Sequence, residues 1–273
     1  MKKTGLLTLL ILISSLMPLD LNAQITFTKR GKAVKAIKSG NVKELSTIMC
    51  ANEINTNKGI MNKNTLLGEI INANITEEKK IEMLNILSNS SNDFNPNQPL
   101  ILNGQYVSPI VAAINILELD LASKLIDAGS NVDVWTNKMN LWASNIIPNA
   151  TPYRIMERTN PLISAIHVLD FIESDNHITE GKVLELIRKI LYSFPESISN
   201  TTEEFKSYTE EAINVCINEA WDDVLYEILA TELTTEETII NTLEKVLASD
   251  HTDKMKSELI KPILHVMNMR DMD

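Results

Sequence analysis

The chain is short of the residues that usually carry chemistry or staple small exported proteins. It has two cysteines, Cys50 and Cys216, too few for a disulfide framework. Aromatics are only 5% of the residues, so Ile, Leu and Ala must fill the interior. That suits thin layers of packed helices. There are 8 glycines and 9 prolines, and the surplus of Ile, Leu, Lys and Glu favours helix. Arginine occurs only at positions 30, 154, 158, 188 and 270, and the formal net charge is −11. A chain this acidic lacks the positive footprint of a nucleic-acid binder and is repelled by anionic membranes. A basic or neutral protein partner fits the charge, although solubility alone also accounts for it. There is no Gly-rich phosphate loop, no His-Glu-x-x-His, no Cys-x-x-Cys and no Gly-x-Ser-x-Gly. No cofactor is therefore expected.

What is present begins with Lys2-Lys3, an apolar run from Gly5 to Met17, then Pro18 and Leu21-Asn22-Ala23. This order predicts a bacterial-type secretory signal over residues 1–23, cleaved after Ala23. The run is short for a bilayer span, which needs about 20 apolar residues. No membrane association is expected unless the signal stays uncleaved as an anchor. Export implies an oxidising compartment, with periplasmic or secreted location.

The most informative stretch is 108–134, SPIVAAINILELDLASKLIDAGSNVDV. Ser108-Pro109 opens a helix, and Ile110, Ala113, Ile114 and Leu117 recur at helical spacing. Asp120 starts a second helix with Leu121, Leu125 and Ile126 inside, and Gly129 stops it in the left-handed conformation. An extended polar turn follows. This stretch resembles an ankyrin repeat. Ser108-Pro109-Ile110 stands where that family has Thr-Pro-Leu, Ala113 on its small inner-helix position, and Gly129-Ser130-Asn131-Val132-Asp133 on its Gly-Ala-Asp-Val-Asn. Val111 replaces the family's His. Leu117-Glu118 replaces its Gly-His turn, so the turn is expected to stay helical for longer.

The pattern recurs along the chain. Residues 29–50 predict a first helix pair turning at Gly40-Asn41, with Asn41 and Glu44 as a capping box. Asn64-Thr65-Leu66-Leu67 opens a second pair at about the ankyrin period, closing on a helix from Thr76 through Leu87. A polar finger separates the two pairs. A longer finger, 92–107, carries Phe94, Pro96, Pro99 and Tyr106. Asn160-Pro161-Leu162 opens a fourth pair with an expanded turn from Glu173 to Gly181. Residues 202–231 predict a fifth pair. Thr234-Thr235-Glu236-Glu237 caps a helix running to about Ser249, and a last helix spans about 253–268, where Pro262 marks a kink or the true start. The fold class expected is all-α: an ankyrin-like helical solenoid of about five to six helix pairs with long inter-repeat fingers. Residues 24–195 hold the ankyrin-like repeats, and 196–273 hold C-terminal pairs that continue or cap them. In such a layout Cys50 and Cys216 lie too far apart to bridge, so both thiols are expected free and buried.

Four histidines stand at 167, 177, 251 and 265. His167 and Asp170 share a helical face, with Asp175 and His177 close behind, but no third strong ligand joins them and a solvated turn is the expected reading. Glu203-Glu204 and Glu210-Glu211 read as exposed charges, and the scattered methionines as core filler. No catalytic or metal residue is expected. The conspicuous stretch is the insertion at 130–159, which holds Trp135 and Trp142 with Met139, Ile146, Ile147 and Tyr153. Trp and Tyr are favoured binding anchors, so Trp135, Met139, Trp142 and Tyr153 are the candidate partner-binding residues. The same residues suit a self-packed flap. The function expected is a non-enzymatic, exported protein-binding module, monomeric, with a protein partner. An inhibitor or immunity-type protein blocking a toxin or hydrolase is the alternative, and an enzyme with a loop-built site is a further one.

The first test is of export. N-terminal sequencing of the mature protein is expected to begin near Gln24. Met1 on soluble cytoplasmic protein is the contrary result.

Overall fold

Most helices begin where a short polar side chain can accept a bond from the first helical turn. Thr28 accepts from Gly31 N–H, Thr65 from Gly68, Asn160 from Ile163, Thr179 from Lys182, Thr235 from Thr238 and Thr252 from Met255. Ser108 holds the equivalent position but makes no such bond; Pro109, with its preset φ and missing donor, opens that helix instead. Acidic residues Glu77, Glu180 and Glu236 follow in first turns, where the helix dipole favours them.

The computed structural model describes residues 28–51, 54–57, 64–102, 105–134, 136–137, 158–172, 178–194, 203–232 and 234–271. It is mostly helical. The helices are α1 (Lys29–Lys38), α2 (Val42–Ala51), α3 (Leu66–Ile71), α4 (Glu77–Ser90), α5 (Pro109–Asn115), α6 (Leu119–Asp127), α7 (Pro161–Val168), α8 (Glu180–Tyr192), α9 (Glu203–Glu219), α10 (Asp222–Leu229), α11 (Glu236–Ala248) and α12 (Asp253–Met269). Helix α12 runs through Pro262. Two short antiparallel ladders, one in the finger 92–107 and one at the ends of the insertion 130–159, precede α5 and α7: β1 (Leu100–Leu102) with β2 (Gln105–Val107), and β3 (Thr136–Asn137) with β4 (Arg158–Thr159).

The chain divides into two compact units between Phe94 and Asn95. In the first, α1 packs on α2 and α3, and α4 packs on α2 and α3. Its core is small and aliphatic, with Ala33, Ala36, Ile37, Leu45 and Ile70 fully buried. Lys80 is buried too, at 3% exposure. Its ammonium donates to Ile71 O at 2.8 Å, one of the carbonyls that the end of α3 leaves without a helical partner.

In the second unit the pairs α5/α6, α7/α8, α9/α10 and α11/α12 follow one another. The first helices of the pairs form one row, α5–α7–α9–α11, and the second helices another, α6–α8–α10–α12. Small side chains let the first row close up: Ala113, Ala165, Ala212 and Cys216 are all fully buried. Polar contacts rivet the second row. Lys182 meets Asp120 at 3.1 Å, Lys189 meets Asp127 at 2.6 Å, and Arg188 meets Glu227 at 2.7 Å. The hydrogen bond from Lys189 holds the Asp127 carboxyl below its usual range.

Three of the tight turns inside pairs share one construction. Gly40, Leu117 and Ala220 sit at φ 65°, 65° and 59°. In each, the next residue's N–H reaches back five positions: Asn41 to Ala36 O, Glu118 to Ala113 O and Trp221 to Cys216 O, at 2.9–3.0 Å. This is the Schellman closure of a helix end. It overturns the expectation that the α5–α6 turn stays helical for longer. Leu117 instead adopts the left-handed conformation that glycine takes most readily. The Asn41–Glu44 box is present in altered form: Asn41 Oδ1 accepts from Glu44 N–H at 3.1 Å, and the Glu44 carboxylate accepts from the Asn41 side-chain amide at 2.9 Å.

The finger ends also repeat. Asn55 Oδ1 accepts from Asn57 N–H, and Asn95 Oδ1 from Asn97 N–H. The second Asn of each couple then bonds forward along the chain, Asn57 to Asp93 O and Asn97 to Gly129 O. Asn131 N–H donates back to Asn97 Oδ1 at 2.6 Å.

Both cysteines are free, but only Cys216 is buried. Cys50 is exposed, which corrects the sequence reading. Leu45 and Met49 are the buried face of α2, and Cys50 stands about 100° round the helix from Met49.

A left-handed non-glycine residue is strained by about 1–2 kcal/mol. Ala220→Gly is therefore expected to raise stability by up to about 1 kcal/mol. Chemical denaturation checks this. A fall in the midpoint would show that Ala220 is not strained.

Candidate binding surface

The insertion that the sequence marks as conspicuous is rooted in the second unit. Trp135, Met139, Trp142 and Tyr153 all lie outside the described residues. What the structure defines is the root. Thr136 pairs with Thr159, and Asn137 with Arg158, so the chain leaves and returns through one ladder, and β3 packs beside β2.

The root is fixed by buried polar groups. Thr136 and Thr159 are buried. Thr136 Oγ1 accepts from Ser108 N–H at 3.4 Å, and Thr159 Oγ1 lies 3.0 Å from Ser164 Oγ. Asn160 is wholly buried, and its Oδ1 accepts from Ile163 N–H at 2.8 Å. Tyr208 on α9 completes the anchor. Its hydroxyl donates to Val132 O at 2.7 Å and accepts from Leu162 N–H at 3.3 Å. Its ring meets Phe194 edge-on at 5.0 Å. Burial pushes the phenol pKa up, so the hydroxyl remains a donor at any physiological pH. One side chain therefore holds the segment entering the insertion and the helix that follows it. Sequence reasoning missed Tyr208; its signal was the one Tyr of that predicted helix, standing at helical spacing with the apolar Ala212 and Cys216. Tyr106, on the neighbouring ladder, is 65% exposed and stands on β2, the strand beside the root.

Elsewhere the described residues carry little reactive chemistry. His167 Nδ1 lies 3.6 Å from Asp170 Oδ2, as their spacing predicted; Asp175 and His177 fall outside the described residues. No group of three or more His, Cys, Asp or Glu side chains that could hold a metal occurs among the described residues. His251 Nε2 is 2.5 Å from Ile217 O at the end of α9, and His265 packs against Tyr226. Burial raises the pKa of the Cys216 thiol, which makes it a poor nucleophile. A cleft of about 510 Å³ is lined by Ala230, Glu232, Thr234, Thr235, Glu236, Val266, Met269 and Arg270. Its arginine is already committed: the guanidinium donates to the carbonyls of Leu229, Thr231 and Thr234, closing the end of α10. No helix among the described residues is long and apolar enough to cross a membrane.

No family model, no curated protein and no solved structure matches this chain.

Tyr208→Phe keeps the ring but leaves Val132 O and Leu162 N–H buried without this partner. It is expected to lower stability by about 1–3 kcal/mol. Equilibrium unfolding measures this, and an unchanged midpoint would show that the hydroxyl does not anchor the root.

Proposed function

We propose that the chain is an exported, ankyrin-like helix-pair repeat protein that acts by binding another protein, with the insertion after the third pair as the contact element. The single observation that carries this reading is the root of the insertion. A loop with no task needs no buried Thr pair, no buried Asn160 cap and no Tyr208 bridge at its root. Loops held on a rigid frame are where binding residues concentrate, and repeat proteins display such loops along one side. The repeated left-handed turns, the forward-reaching Asn couples and the hairpins preceding α5 and α7 support the ankyrin-like part of the reading. The net charge of −11 favours a basic or neutral partner. It also suits the narrower reading of an inhibitor or immunity-type protein, since an acidic surface speeds encounter with a basic target.

The test removes the rings and reads two quantities. In a partner-binding insertion, Trp135→Ala with Trp142→Ala leaves helical circular dichroism and the unfolding midpoint nearly unchanged. Capture of the partner from periplasmic or secreted extract then weakens by about 2 kcal/mol or more where either ring is a hot spot. In a self-packed flap, stability falls by about 3–5 kcal/mol per buried Trp and capture survives. That second outcome would end the proposal for this loop.

A further inference from the structure

The last helix pair has an apolar side that nothing in the described residues covers. Among the described residues the exposed large apolar side chains are Tyr106, Tyr192, Ile240, Leu247, Leu264 and Met269; of the four on α11 and α12, Met269 lies towards α10, and Ile240, Leu247 and Leu264 do not. Contacts to the preceding pair orient both helices. On α11, Lys245 donates to Asn214 of α9 at 3.1 Å, which marks the side towards α9. Ile240, Leu243 and Leu247 lie about 140–160° round the helix from Lys245. On α12, Met269 accepts from the Tyr226 hydroxyl and His265 packs on the Tyr226 ring, which marks the side towards α10. Ile260, Leu264 and Met267 lie about 140–180° round from Met269. Both stripes therefore face away from the preceding pair. They stand where a following pair would pack if the rows α9–α11 and α10–α12 continued. Ile240, Leu247 and Leu264 are 44%, 56% and 47% exposed, and Leu243, Ile260 and Met267 are half-buried.

We propose that this end face is a self-association surface occupied by a second copy of the chain, with α11 of one protomer lying across α12 of its partner. Two observations choose that occupant. The first is continuity: the face extends the rows that join each pair to the next inside the unit, so a helix pair fits it, and this chain supplies one. The second is charge. Helix α11 carries Glu236, Glu237 and Glu244 against a single Lys245, whereas α12 carries Lys254, Lys256 and Lys261 against Asp253 and Glu258; Lys256 donates to Leu247 O of the same chain and Lys254 lies 4.0 Å from Glu258, so Lys261 is the α12 cation left to meet a partner's carboxylates. A two-fold arrangement sets the acidic helix of each copy on the basic helix of the other, and an isologous contact repeats that match twice. The remainder of a chain with net charge −11 offers mostly self-repulsion. The sequence alone pointed to a monomer; the end face points to a dimer. Two helices of this length side by side present a face about 20 Å on each edge. That is at the small end for a stable pair, so association in the micromolar range is expected.

Sedimentation of the full-length protein from about 1 to 200 µM tests this, a range that brackets micromolar association. The weight-average mass is expected to rise from one chain to two and to stop there. Leu247→Asp with Leu264→Asp is expected to hold it at one chain over the same range. Both side chains are exposed, so helical circular dichroism and the unfolding midpoint should not change. A wild-type mass of one chain throughout overturns the proposal and leaves the face to a different protein or to solvent. A dimer that survives the double substitution overturns it by locating the contact elsewhere. Growth beyond two chains overturns the two-fold arrangement.

Discussion

Three of the helix pairs are closed by one backbone choice, a single residue held at positive φ between two helices. With that residue left-handed, two N–H groups turn back onto the last carbonyls of the first helix, and the second helix sets off antiparallel within three residues. Every further feature depends on this reversal. It brings Ala36, Ala113 and Cys216, whose carbonyls receive the longer bond, to one register in their helices. Small or compact side chains there let neighbouring first helices approach. Glycine does this without strain at Gly40, where an added Cβ would also come within 3.2 Å of Ile75 Cγ2. Leu117 and Ala220 do it under strain, so packing against the flanking pairs must exceed the local penalty.

The polar groups of the second unit divide their work by depth. On the surface, the ion pairs along α6, α8 and α10 join exposed or half-exposed side chains and contribute little to stability individually. Beneath the insertion, the bonds of Thr136, Thr159, Asn160 and Tyr208 are buried, where losing one partner strands the other. The same contrast appears at the end of α10. There the Arg270 guanidinium gathers three carbonyls, so a charge near the C-terminus organises a turn rather than a ligand.

The helices were legible in the sequence because their signals are local. Thr, Asn and Ser-Pro openings, acidic first turns and aliphatic spacing placed five pairs and two further helices with boundaries close to those observed. Features set by a neighbouring element were not legible. Leu117 offers no local sign of positive φ, since leucine is a helix former and only the return of α6 forces it. Cys50 looked buried because cysteine usually is; that Leu45 and Met49 face the core, and Cys50 does not, depends on where α1 and α4 lie. The strands β1 to β4 are too short to show alternation. The candidate residues Trp135, Met139, Trp142 and Tyr153 stand out by side-chain chemistry, three rings and a flexible apolar chain, and the structure contributes the root of the insertion rather than their positions. The apolar side of α11 and α12 could not be separated from core by sequence, because Ile240, Leu243 and Leu247 have the spacing of buried residues.

Tyr208 also changes how the second unit comes apart. Stacked pairs that touch only their neighbours lose structure from the ends inward, one step at a time. The Tyr208 hydroxyl joins α9 to Leu162, 46 positions earlier, and to Val132, 76 positions earlier. A bond of that reach ties the third, fourth and fifth pairs into one cooperative block. Amide hydrogens on α7 and on the inner face of α9 should then exchange together and slowly. Those of α11 and α12, which lie outside the block and have one side that no described residue covers, should open first.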